Sequence, residues 1–142
     1  MPSVELVQGN PIVVKACDDG GGDFSAGDLV QFDSSGLVSV GATTSFCAIA
    51  RKDCSAVSGT ETEIEMISPY NLYRIKGVSG TALAQTDVGD GFVVTFTEGA
   101  HYITVGTDSD GAIWDLEDPI GTDGGRYLVQ FFDSVLKTGV IG

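Results

Sequence analysis

Short apolar runs alternate with glycine-containing turns along the whole of this chain. Twenty of its 142 residues are glycine, about double the usual share. The runs between them are rich in β-branched and aromatic residues and are too short for stable helices, so they are typical of strands. This alternation of apolar runs and turns predicts an all-β protein with many short strands.

The segment 28–52 shows the pattern most clearly. DLVQFD and LVSV are separated by the turn SSG, and FCAIARK follows the turn-rich GATTS. Alternation in FCAIARK predicts that Phe46, Ala48 and Ala50 share one face of a strand. A helix over 45–57 is the alternative because the run lacks Gly and Pro, but its flanks carry no helix caps.

Further strands are predicted on both sides of that segment. They are VELV, PIVVKA, TETEIEMI, NLYRIK, FVVTFT, HYITV, AIWDL and RYLVQFF. In the third of these runs, the side chains of Glu61, Glu63 and Glu65 are expected on one solvated face. Matching residues in 27–41 and 89–106 fit either an internal duplication or the ordinary composition of hairpins.

The length predicts a single domain with a genuine core. Within it, residues 1–25 are expected to form an N-terminal strand or arm and an acidic Gly-rich loop. Residues 26–142 are expected to form the main β-barrel-like body.

The charge is strongly acidic, with 7 basic and 20 acidic residues and a net charge of −13. Nucleic-acid binding needs Lys and Arg to displace counterions from phosphates, so this balance argues against it and against an anionic membrane surface. A solubilising exterior, a cation site and an acidic face for a basic partner all fit. No signal peptide or apolar membrane span is expected, so the chain is predicted to be made in a cytoplasm.

One motif approaches a metal site. With Gly111 as the sixth position of an EF-hand loop, Asp108, Asp110 and Glu117 fall at ligand positions. The first position is Gly106, however, and no flanking helices are predicted, so the calcium loop is incomplete.

No catalytic or cofactor-binding residues are predicted. His101 is the only histidine, which leaves a hydrolase with His101 as base as a minor alternative. Cys17, Cys47 and Cys54 have no metal-ligand spacing and are expected to be thiols in a reducing compartment. The chain is therefore expected not to be an enzyme.

Two longer stretches, FSAGDLVQFDSSGLVSVGATTSFCAIARKDCSA and EIEMISPYNLYRIKG, together with VGDGFVVTF, DGAIWDL and RYLVQFF, resemble small decoration (cement) proteins of tailed-phage capsids. The resemblance lies in the order and style of the strands and turns. It implies a compact β-barrel or β-tulip-like module. A sandwich of short antiparallel strands is the alternative fold for the same strand pattern. The resemblance also implies a homotrimer on the outside of the virion that bridges major capsid protein subunits, with no cofactor.

Three aromatic residues are predicted as contact candidates: Tyr70, Tyr73 and Trp114. Trp and Tyr are enriched where interfaces carry most of their binding energy. The alternatives are a β-sandwich module that binds calcium or a glycan, and another structural component of a phage head or tail.

Overall fold

The computed structural model describes residues 3–18, 20, 24–33, 35–40, 46–54, 57–97, 99–106 and 110–132. Eleven strands lie in this part of the chain. They are β1 (Val4–Gln8), β2 (Ile12–Cys17), β3 (Leu29–Phe32), β4 (Val38–Val40), β5 (Ala48–Ala50), β6 (Glu61–Met66), β7 (Leu72–Lys76), β8 (Gly91–Thr97), β9 (Ala100–Val105), β10 (Gly111–Leu116) and β11 (Arg126–Phe131). None of the described helical segments is long and apolar enough to cross a membrane.

The strands form two antiparallel sheets. Six strands follow the order β1-β7-β11-β10-β8-β9, and five follow the order β2-β6-β5-β3-β4. The isolated bridge between Asp18 and Val38 joins the two outer strands of the smaller sheet, but no continuous ladder of described residues closes it into a barrel. The all-β prediction is confirmed, and the architecture is that of a sandwich.

The N-terminal segment contributes a strand to each sheet. β1 pairs with β7 in the six-stranded sheet, and β2 pairs with β6 in the other. The backbone N–H of Val4 also donates to the carbonyl of Gly27, at 3.0 Å, which links β1 to the turn before β3. The first part of the chain therefore holds the two layers together.

The main core lies between the sheets. Its centre is Phe131, whose ring meets Phe46, Tyr73 and Phe92 edge-on with centroids 5.5, 5.6 and 5.7 Å away. The buried members are Val4, Leu29, Phe46, Ile49, Ile67, Tyr73, Ile75, Leu83, Phe92, Val94, Ile103, Ile113, Tyr127, Val129 and Phe131.

A second apolar cluster covers the other face of the five-stranded sheet. It contains Phe24, Val30, Val38, Cys47, Ala48, Ala50 and Ile64. Phe46 belongs instead to the main core with Ile49, so the prediction that Phe46 shares a face with Ala48 and Ala50 was wrong. The regular alternation begins only at β5, because residue 46 lies before the strand. The strand at β5 also excludes the helical alternative there.

Glu65 corrects the prediction of a fully solvated row of glutamates. Glu61 is exposed and Glu63 half-buried, but Glu65 is buried and pairs with the guanidinium of Arg51 at 3.2 Å. The reason is that Glu65 lies opposite Ile49 in the ladder, on the face that turns towards the other sheet.

Candidate functional site

Two of the predicted contact residues lie in one groove. Tyr70 is 92% exposed and Trp114 is 56% exposed, unusually high values for large aromatic side chains. Both line an open groove of about 430 Å³ on the outer face of the six-stranded sheet, which we call the Tyr70–Trp114 groove. Its lining residues are Gln8, Gly9, Tyr70, Leu72, Trp114 and Gln130.

A β-bulge in β10 determines the direction of Trp114. Ile113 pairs with Val129 and Asp115 pairs with Leu128, which leaves Trp114 as the extra residue. Trp114 and Asp115 are consequently both exposed. Strict alternation would have turned the carboxylate of Asp115 towards the core, so the bulge avoids burying a charge and displays the indole outside.

Gln130 holds both aromatic walls of the groove. Its Oε1 accepts a hydrogen bond from Trp114 Nε1 at 2.9 Å. Its Nε2 donates to the carbonyl of Pro69 at 2.6 Å, in the turn that carries Tyr70. One amide side chain therefore fixes the position of the indole relative to that turn.

Further hydrogen bonds from the core and from the β1–β2 connection hold the turn that carries Tyr70. The N–H of Tyr70 donates to the hydroxyl of Ser68 at 3.2 Å, and the N–H of Ser68 donates to the phenol oxygen of Tyr73 at 3.0 Å. The Asn71 side chain donates to the carbonyl of Asn10 at 2.9 Å, which ties the turn to the β1–β2 connection. The exposed aromatic thus sits on a rigid support.

Tyr73 is not a contact residue, and that prediction was wrong. Its side chain is buried in the main core, and burial raises the pKa of its phenol. Alternation of β7 decides this, since Leu72 faces the groove and its neighbour must face inwards. The role of Tyr73 is to support the turn that presents Tyr70.

Glycine is required at position 9 in the floor of the groove. Its φ is +129°, and a Cβ there would collide with the side chain of Asn71. A larger residue would therefore displace the amide that fixes the Tyr70 turn.

The structure does not bring the calcium-loop candidates together. Asp108 lies outside the described residues. Asp110 and Glu117 flank the two ends of β10, about 20 Å apart at the rise of a strand. Asp110 accepts the Val94 N–H at 2.7 Å, and Glu117 lies 3.6 Å from Arg74. The described residues contain no group of three His, Cys, Asp or Glu side chains that could hold a metal ion.

His101 lies at the junction between the sheets and is fully buried. Its Nδ1 accepts the backbone N–H of Leu29 at 3.3 Å, which joins β9 to β3. Ser3 and Asp28 are close by, but the Ser3 hydroxyl donates to Asp28 at 3.2 Å and accepts the His101 backbone N–H at 3.2 Å. These hydrogen bonds tie β9, β3 and the N-terminal segment together.

The carboxyl of Asp28 is perturbed by this junction. Burial alone would raise its pKa, but the neighbouring His101 and hydrogen bonds from Ser25 and Ser3 together hold the pKa below the ordinary value of 3.8. The charged form of Asp28 is therefore part of the folded structure.

The cysteines are separate thiols in the described structure. Cys47 is buried in the second cluster, and burial raises its pKa to about 11. Cys54 accepts the Phe24 N–H at 3.1 Å. A thiol with a raised pKa is a poor nucleophile.

Strand β2 forms a second candidate surface. Ile12, Val13 and Val14 are exposed by 49%, 44% and 38%. In the described residues β2 has its ladder with β6 on one side, and on the other only the isolated bridge at Asp18. A sheet edge that displays three successive apolar residues is a site where another strand can add.

The backbone of β2 shows which groups face this edge. The Asp18 N–H donates to Thr60 on the β6 side at 2.8 Å. Because directions alternate along a strand, the N–H of Val14 also points to β6, and those of Val13 and Lys15 point to the open edge.

Comparison with known proteins does not assign a family. Neither a protein-family model nor a curated protein sequence matches the chain. A two-sheet β-sandwich serves many unrelated functions, so function must be argued from the surfaces. The two groove aromatics were predictable from the sequence, but Gln8, Leu72 and Gln130 were not. Alternation placed these residues on the polar faces of their strands, but the sequence did not show which strands would lie beside one another.

Proposed function

We propose that this chain is a non-enzymatic structural protein of a tailed-phage virion. It binds the exterior of the capsid, bridges neighbouring major capsid protein subunits and thereby stabilises the head. Its partners are the major capsid protein and, in a homotrimer, further copies of itself. Beside the resemblance in sequence style, the observation that supports this function is the exposed apolar edge of β2.

That edge has the chemistry of an assembly surface. A monomeric protein normally protects its edge strands with charge, proline or bulges, because open edges pair with other chains. Pro11 precedes β2 and Lys15 is its first charge, but the three residues between them, Ile12, Val13 and Val14, carry none of these protections. A strand of the major capsid protein placed beside Val13 would gain backbone hydrogen bonds and cover the apolar side chains.

Assembly on a capsid would turn such an edge into stabilisation. A protein that binds only the assembled shell shifts the equilibrium towards that shell by mass action. Three linked copies would make three modest contacts act as one stronger grip. The net charge of −13 on the remaining surface would keep particles apart.

The test is co-sedimentation with expanded, empty heads assembled from the major capsid protein encoded in the same genome. We expect saturation at a copy number set by the three-fold positions of the lattice and a higher melting temperature of the head. Absence of binding by folded protein would overturn the capsid proposal. Saturation at the portal vertex or on tails would favour another head or tail component.

A pair of variants tests the role of β2. Val13→Pro removes an N–H that faces the open edge, so we expect it to abolish binding to heads while the protein stays folded. Ile120→Ala, at an exposed apolar residue outside β2, is the matched control and should bind normally. Full binding by Val13→Pro would show that β2 is not the docking edge.

A further inference from the structure

We propose that the Tyr70–Trp114 groove binds a neutral glycan, with one sugar ring packed against the exposed aromatic side chains. This inference is independent of capsid binding, because the groove lies on the six-stranded sheet and β2 belongs to the other. The observations that carry it are the composition of the lining, its lack of charge, its size and its rigidity.

The lining has the two-sided chemistry of a sugar. A pyranose ring presents a face of C–H bonds and a rim of hydroxyl groups. Tyr70 and Trp114 offer aromatic faces for the first. For the second, Gln8 offers an amide, and Gln130 has one N–H and one lone pair beyond those that bond Pro69 and Trp114. Such a combination of aromatic walls with a few convergent polar groups is typical of small-molecule sites.

The charge of the groove selects a neutral ligand. None of its six lining residues is Asp, Glu, Lys, Arg or His, although the chain carries 20 acidic residues. An anionic glycan would find no cation among the lining residues and would be repelled by the net charge of −13 on the chain as a whole. A neutral oligosaccharide meets neither penalty.

The size of the groove fits a small ligand. A volume of about 430 Å³ lies towards the lower end of the range of about 300–1,000 Å³ that is common for small-molecule sites. A stable protein–protein contact covers about 800 Å² on each partner, which is far more than six residues provide. We therefore argue for one or two sugar rings and not for a folded partner.

The rigidity of the groove lowers the cost of binding. Gln130 fixes the indole and the Tyr70 turn together, and the Ser68–Tyr73 and Asn71–Asn10 hydrogen bonds anchor that turn. Little side-chain freedom of the indole or of the turn is left to lose when a ring settles between them.

Tryptophan fluorescence gives a direct assay, since Trp114 is the only tryptophan in the chain. Full-length protein is titrated with maltohexaose, cellohexaose, mannohexaose, galactohexaose and chitohexaose, each to about 10 mM because single-ring sites bind in the millimolar range. We expect at least one to cause a saturable shift in emission. Hyaluronan hexasaccharide, which is anionic, should cause none.

Variants separate the groove from the rest of the surface. Tyr70→Ala should weaken the responding sugar by about tenfold, and Gln130→Leu should weaken it while both aromatics remain. Ile120→Ala should bind as the original chain does.

The proposal is overturned if no neutral oligosaccharide gives a saturable response, or if hyaluronan alone does. It is also overturned if Tyr70→Ala binds sugar unchanged. Loss of head binding by Tyr70→Ala, without any response to sugars, would make the groove a protein contact. Because Val13→Pro leaves the groove intact, failure of capsid binding and failure of glycan binding are distinguishable.

Discussion

Proline substitutions at Val13 and Val14 should have very different effects on folding, although the two residues are neighbours and are similarly exposed. The N–H of Val14 points to Ile64 of β6, whereas the N–H of Val13 points to the open edge. Proline removes only the N–H of the residue it replaces, so the pair reports the direction of each backbone group.

The expected magnitudes follow from what each N–H does. Val14→Pro deletes a ladder hydrogen bond and leaves the carbonyl of the fully buried Ile64 unpaired, which costs about 1–3 kcal/mol. The proline ring also fixes φ at about −65°, which adds to the loss in an extended strand. Val13→Pro restricts φ in the same way but removes no ladder bond among the described residues, so its free energy of unfolding should fall by about 1–3 kcal/mol less than that of Val14→Pro.

Urea denaturation followed by circular dichroism measures the difference. A gap of about 2 kcal/mol between the variants, with a slope of about 1–3 kcal/mol per molar urea, separates their midpoints by roughly 0.7–2 M. Equal destabilisation, or a larger loss in Val13→Pro, would refute the assignment of backbone directions. The β2 edge would then no longer support capsid docking.

Three further predictions concern the interior. The pKa of Asp28 is lowered in the folded protein, so its charge stabilises the fold above pH 3.8 and this contribution is lost as the pH falls below that value. Asp28→Asn should therefore flatten that part of an acid-unfolding curve, and an unchanged curve would contradict the assignment. Gly111→Ala should cost about 1–3 kcal/mol in urea denaturation because its Cβ would collide with the Gln130 carbonyl and the Phe92 ring; an unchanged midpoint would mean that β10 can shift. Cys47 has a pKa of about 11, so we expect its thiol to be alkylated at neutral pH only after unfolding, which peptide mass spectrometry would measure. Labelling of Cys47 in the folded protein would show that the second cluster opens locally.

The strands were predictable because they depend on local pattern. Each described strand coincides with a run of β-branched and aromatic residues between turn residues, and this grammar needs only neighbouring positions. The predictions that were wrong concern the faces on which individual side chains lie. Phe46 left the expected face because the strand begins later than the apolar run, and Glu65 was buried by a second layer whose position the alternation does not specify.

The groove shows the same division. Exposed aromatics could be suspected at Tyr70 and Trp114, but Tyr73 looked equivalent until the face of β7 was known. The bulge at Trp114 arises where strict alternation would bury Asp115, a conflict that is visible in the sequence only once the core side of β10 is fixed. Gln130 could not be found at all, because its two partners are brought together by strand order.

The connection of β1 to β2 has a mechanical consequence. The two strands follow one another in the chain, yet β1 is bonded along β7 in one sheet and β2 along β6 in the other. Tension applied along the axis of either strand loads its row of hydrogen bonds in shear, so that all of them must stretch at once and cannot open one by one. In the proposed capsid role, a shell that swells under internal pressure would load β1 and β2 in this way. Two consecutive strands that are bonded into separate sheets would then resist being peeled away.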